Sequence, residues 1–119
     1  VTHSGWVILF VNKQALEEFE ALSASLRAKL QRIFHLVEEL GLSSLTMPLA
    51  SPLRYGLWEM RVRGKDGIAR SLYIAIDNKK LLILKTFVKK TTKTPESEIS
   101  MARQRLTQFN LENAPCNNV

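Results

Sequence analysis

LRYGLWEMRVRGKDGIARSLYIAIDNKKLLILKTFVKKTTKTP, residues 53–95, holds three strand-like runs separated by turn residues and carries most of the excess positive charge of this 119-residue chain. From Leu57 to Arg63 the residues alternate, with Leu57, Glu59, Arg61 and Arg63 on one side and Trp58, Met60 and Val62 on the other. That is the period of a strand with one solvated face. Gly64-Lys65-Asp66-Gly67 supplies the glycines of a hairpin turn, because glycine accepts the positive φ that such turns need. Arg70–Ile76 is a second run, rich in β-branched and aromatic residues, and Asp77-Asn78-Lys79-Lys80 is a second turn. Leu81–Val88 is nearly all apolar, as in a strand covered on both faces, and it empties into Lys89-Lys90.

Upstream, the chain reads as scaffold. Trp6–Val11 is a short β-branched and aromatic run expected inside the sheet. Asn12 is placed to cap a first helix lined by Ala15, Leu16, Phe19 and Ala21 or Leu22, with Glu17, Glu18 and Glu20 in or near its first turns, where they suit the dipole. Ser23 to Ser25 offers a fresh cap, after which Leu26, Leu30, Ile33, Phe34, Val37 and Leu40 recur at helical spacing until Gly41. His35 falls opposite that stripe and reads as solvated surface. Residues 41–52 read as a loop. Downstream, Thr94 is the expected cap and Pro95 the first residue of a last helix, with Ile99, Ala102, Leu106 and Phe109 buried and Arg103 and Arg105 facing outward. The expected order is β-α-α-β-β-β-α, an α+β domain with a mainly antiparallel sheet and the N-terminal helices packed on it.

Charge is distributed unevenly. Residues 1–60 carry 5 Lys/Arg against 6 Asp/Glu, and residues 61–119 carry 12 against 5. Such asymmetry points to a polyanionic partner, nucleic acid before acidic protein or anionic membrane, or else to a solvated basic surface. The single Cys116 has no disulfide partner and no metal-ligand spacing around it, which places the chain in a reducing, cytoplasmic compartment. Trp6–Val11 is too short for a membrane span.

The sequence has no glycine-rich phosphate loop, no metal-ligand cluster, and no serine or cysteine placed as a nucleophile beside a histidine, so neither metal nor cofactor is expected. What remains is cationic: Arg54, Arg61, Arg63, Arg70, Lys89, Lys90 and Lys93, with Tyr55 and Tyr73 close in sequence. Cations on adjacent antiparallel strands can converge on one phosphate, arginine as a bidentate fork and lysine as a mobile point charge. Glu59, on the face of Arg61, reads as its ion-pair partner before it reads as a base. Tyr73 shares a face with Ser71 and Ala75 that the alternation alone does not orient, so core packing and ligand contact stay open for it.

Leu53-Arg54-Tyr55-Gly56-Leu57-Trp58-Glu59-Met60-Arg61, Arg70-Ser71-Leu72-Tyr73, Phe87-Val88-Lys89-Lys90 and Thr94-Pro95 with Glu98-Ile99 and Ala102, in that order, resemble the RelE/HigB toxin superfamily, most closely its phage-related, HigB-like branch. The resemblance implies a RelE-like fold over residues 1–110, with residues 111–119 as a flexible tail. It implies the toxin of a type II toxin-antitoxin module, a metal-independent and ribosome-dependent mRNA endoribonuclease that inhibits translation. It also implies partners: a helix-turn-helix antitoxin, the ribosome and mRNA. Carried over residue by residue, it places Arg61, Arg70, Lys89 and Lys90 at the RNA site, where they are the expected catalytic set; Arg54, Arg63, Tyr73 and Lys93, from the cationic and aromatic residues nearby, are the expected RNA contacts. Two departures stand out: Met60 replaces the usual Leu, and Ala69 replaces an aromatic, which alters either base stacking or packing. The rival to the nuclease is a non-catalytic module that only binds RNA or its partner.

Overall fold

In a computed structural model, residues 4–46 and 48–113 are described. The chain runs β1 (Val7–Phe10), α1 (Lys13–Glu20), α2 (Ala24–Leu40), β2 (Ala50–Pro52), β3 (Trp58–Gly64), β4 (Gly67–Ile76), β5 (Lys80–Lys89) and α3 (Glu96–Glu112). The five strands form one sheet in the order β1-β5-β4-β3-β2, antiparallel except for β1 beside β5. The α+β class, the three long strands and the three helices are as expected. Their caps are partly so: Asn12 accepts from the Ala15 amide at 2.8 Å and Ser23 from the Leu26 amide at 3.3 Å, and Gly41 ends α2 at φ +91°. Thr94 does not cap α3. Pro95 holds that position, and the Thr94 hydroxyl is used elsewhere.

Helices α1 and α2 cover one face of the sheet. Leu26, Leu30, Ile33, Phe34 and Val37 meet Met60, Val62, Ala69, Tyr73, Leu81 and Ile83 there, and each fully buried leucine contributes about 2 kcal/mol. Phe10, Phe19 and Phe34 form an aromatic triangle, with centroids 5.4 to 6.2 Å apart, that ties β1 to both helices. Helix α3 covers the other face through Ile99 and Ala102 on Leu57, Leu72, Leu82, Leu84 and Phe87. The side of β3 expected to be wet is therefore dry at Leu57 and Glu59, and solvent reaches it only from Arg61 onward. A strand pattern reports alternation. It does not report that a distant helix will roof half of one face.

Three further expectations are corrected. Trp6–Val11 does not lie inside the sheet: β1 is an edge strand, and Val7 and Leu9 are exposed where α3 does not reach. The loop before residue 53 contains a strand, β2, whose pairs Ala50–Met60 and Pro52–Trp58 make it the opposite edge. Proline suits that edge, because a ladder partner there is not needed. At the C-terminal end α3 continues to Glu112, where Gln108 donates to Glu112 at 2.8 Å, so of the expected tail 111–119 the first residues are helical. Residues 114–119, Cys116 included, lie outside the described residues. No described helix is long and apolar enough to cross a membrane.

A bulge in β5 decides which of its side chains meet α3. Leu72 pairs with Lys85 and Tyr73 with Ile83, so Leu84 is an extra residue and the alternation of β5 reverses after it. Before the bulge Leu81 and Ile83 face α1 and α2. Beyond it Val88 takes that face, and Phe87 lies under α3. Lys85 and Lys89 share the Phe87 face, where both reach Glu98 of α3.

Candidate functional site

Arg61 of β3 and Arg70 of β4 sit directly opposite one another, with Phe87 of β5 next in the row. Opposed like charges repel across a sheet, so both need acceptors. Glu59, two residues before Arg61 on the same face, supplies the first: its carboxylate is 1% exposed and accepts from Arg61 Nε at 2.5 Å. The segment after β5 supplies the others by folding back over this face. Arg61 Nη2 donates to Thr92 O at 2.6 Å, and Arg70 donates to Lys93 O at 2.8 Å and to Thr91 O. Thr94 joins both halves, donating its hydroxyl to Glu59 at 2.5 Å and accepting from Arg61 and Arg70 at 3.4 Å each.

The two arginines end up in different environments. The Arg61 side chain keeps 25% of its surface and borders a groove of about 370 Å³ lined also by Arg54, Glu59, Lys93, Thr94 and Ile99. Arg70 is 0% exposed. Burial first, and then the neighbouring Arg61 charge, lowers its pKa from the ordinary arginine value against the pull of Glu59. Its Nε has no hydrogen-bond partner among the described residues. Arg70 thus corrects the expectation of a phosphate-facing side chain: the 91–94 segment covers it, and it serves as that segment's strut.

The remaining expected residues divide by face. Arg54, in the short turn Arg54–Gly56, and Lys93, on the covering segment, join Arg61 at the groove, with Arg54 paired to Glu96 at the start of α3. Arg63 is exposed one row further along, beside Ile68 and Lys89. Lys89 lies 3.9 Å from Glu98, and Lys90 is exposed just past β5. Tyr73 is not part of the set. It lies on the opposite face, across the strands from Trp58, and burial pushes its phenol up to about 12. Ala69 belongs to that same core, so its departure from an aromatic is a matter of packing beneath α2 rather than of stacking at the groove.

Tyr55, Arg103, Arg105 and Glu18 make contacts that their positions in the sequence did not indicate. The Arg103 guanidinium sits 3.7 Å from the ring centroid of Tyr55, which is exposed beside Arg54. Arg105, expected to face outward, instead donates to Glu18 at 2.7 and 2.9 Å and to Leu84 O at 3.0 Å. Glu18, expected to serve the α1 dipole, accepts as well from Lys85 at 3.2 Å and from the Thr86 amide at 3.1 Å. Burial raises its pKa, but these donors outweigh it and hold the carboxyl below its ordinary value. Helical spacing was the one available signal, since Ile99 and Arg103 lie one turn apart on the side of α3 that meets the groove.

No group of three or more possible metal ligands occurs among the described residues. A family model described as phage derived protein Gp49-like matches residues 17–107. Among solved structures, the E. coli toxin RelE, in a double arginine-to-alanine mutant in the free state, matches with a TM-score of 0.59 and 17% identity. The match covers 86% of this chain and 98% of that one, and at such identity it is a likeness of fold. No curated protein matches the chain.

Proposed function

The chain belongs to the phage-derived Gp49-like family and has the fold of RelE, and from that premise we propose that it is the toxin of a type II toxin-antitoxin module that cleaves mRNA on the ribosome. The observation that carries this reading is Arg61: a guanidinium oriented by a buried carboxylate and opening on a groove flanked by Arg54 and Lys93.

In the proposed reaction the RNA's own 2′-oxygen attacks the adjacent phosphorus and the bond to the 5′-oxygen breaks. One proton leaves the 2′-hydroxyl and one is taken up by the 5′-oxygen, leaving a 2′,3′-cyclic phosphate and a 5′-hydroxyl. Arg61 stabilises the charge that builds on the phosphate, its fork aimed in advance by Glu59. The phosphate takes the place that Thr92 O holds on Arg61 in the free protein. Arg70 is a positioning residue, acting through the 91–94 segment. Lys89 and Lys90 extend the cationic track toward neighbouring phosphates, with Arg63 beside them. Glu59 is closed off by Arg61 and Thr94 and leaves proton transfer to other groups, which fits a nuclease that relies on the ribosome to align its substrate. A helix-turn-helix antitoxin covers the groove or distorts it.

A second reading, a module that binds RNA without cutting it, draws on the same segment, whose carbonyls occupy both arginines. Mapping new 5′ ends on translated and untranslated copies of one message, in bacteria expressing wild type or Arg61→Ala, separates the two. Cuts confined to the translated copy and absent with Arg61→Ala are expected. Abundant folded wild type without cuts would leave the binding module.

A further inference from the structure

We infer that Tyr55 and Arg103 form a nucleobase-stacking subsite at the α3 end of the groove, an inference that deepens the proposed function and rests on it. Tyr55 is 57% exposed and has φ +64°, a left-handed backbone that a side chain of its size rarely adopts. Backbone of that kind persists where the surroundings enforce it and is concentrated at ligand sites. Structural tyrosines recover such a cost by burial, and this ring does not. One of its faces is taken by Arg103 at 3.7 Å, and the Arg54 guanidinium lies 6.0 Å from its centroid. Arg54 also lines the groove of Arg61, so the ring stands where a strand whose phosphate meets Arg61 continues. A planar ring backed by a guanidinium and more than half exposed fits a base of single-stranded RNA, which stacks without regard to its hydrogen-bonding edge.

The test uses the whole protein and a fluorescent single-stranded RNA with 2′-O-methyl riboses, which cannot be cleaved, in anisotropy titrations with one abasic position walked along the strand. Tyr55→Ala is expected to weaken binding about tenfold and Tyr55→Phe to leave it unchanged. One abasic position should matter to wild type and not to Tyr55→Ala. Tyr55→Gly, which relaxes the backbone, is expected to keep the wild-type melting temperature while losing the same affinity. A flat abasic walk, wild-type affinity in Tyr55→Ala, or a fall in melting temperature with Tyr55→Gly would overturn the subsite. If stacking holds but wild type cuts no translated message, the subsite stands and the nuclease reading fails.

Discussion

Arg61 and Arg70 are the same residue type in register on adjacent strands, yet only Arg61 opens on the groove. Arg61→Ala should lower cleavage at least about a hundredfold, the usual loss for one preorganised charge donor. Arg61→Lys should recover little, because an ammonium cannot bond Glu59 and face the groove at once. Tyr73→Phe is expected to cleave like wild type, and ultraviolet titration should find one phenol that ionises only near pH 12. Glu18 provides the acid-side test. Its folded pKa lies below the unfolded value, so its stabilisation is present above the unfolded pKa and is lost as pH falls through the folded one. Glu18→Gln should cost about 2 kcal/mol at neutral pH and make urea midpoints less sensitive to acid, as measured by denaturation from about pH 3 to about pH 7.

Among the elements, the bulge in β5 and the segment behind it organise the site. Deleting Leu84 would remove the extra residue and leave Lys85, Phe87 and Lys89 opposite Leu72, Arg70 and Ile68, so the variant is expected to keep its native circular dichroism spectrum and to lose about 2 to 5 kcal/mol in thermal unfolding with the packing of Leu84. Thr94→Val is milder. It removes the hydroxyl shared by Glu59, Arg61 and Arg70, and should cost about 1 to 3 kcal/mol in thermal unfolding while lowering cleavage in step with Arg61. The strands, helices and most buried stripes were legible because period 2 and period 3.6 are local properties of the chain. The bulge was not, since Leu81–Val88 is nearly all apolar and offers no alternation to interrupt. The burial of Arg70 was equally hidden. It depends on carbonyls of residues 91–93 returning over β4, and backbone acceptors leave no mark on residue type.

For the molecule as a whole, the basic half of the chain is not one basic face. Lys85 and Arg105 are spent on Glu18 and Glu98, and Arg54 is paired with Glu96, while around the groove Arg61, Lys93, the exposed Arg63 and Lys90, and Lys89, exposed despite Glu98 at 3.9 Å, are placed to meet a polyanion. If three phosphates are engaged at once, the logarithm of RNA affinity should fall against the logarithm of salt with a slope of about −2, measurable by anisotropy from low to physiological salt. The parallel pairing of β1 with β5 sets an order of assembly. Val7 cannot find Lys80 until nearly the whole sheet has been synthesised, and the groove also waits for residues 91–94 and for α3. Long-range closure of this kind is slow and comes late. On the nuclease reading, the growing polypeptide is therefore harmless to the ribosome that is making it, and becomes dangerous to translation only once α3 has followed the sheet out of the ribosome.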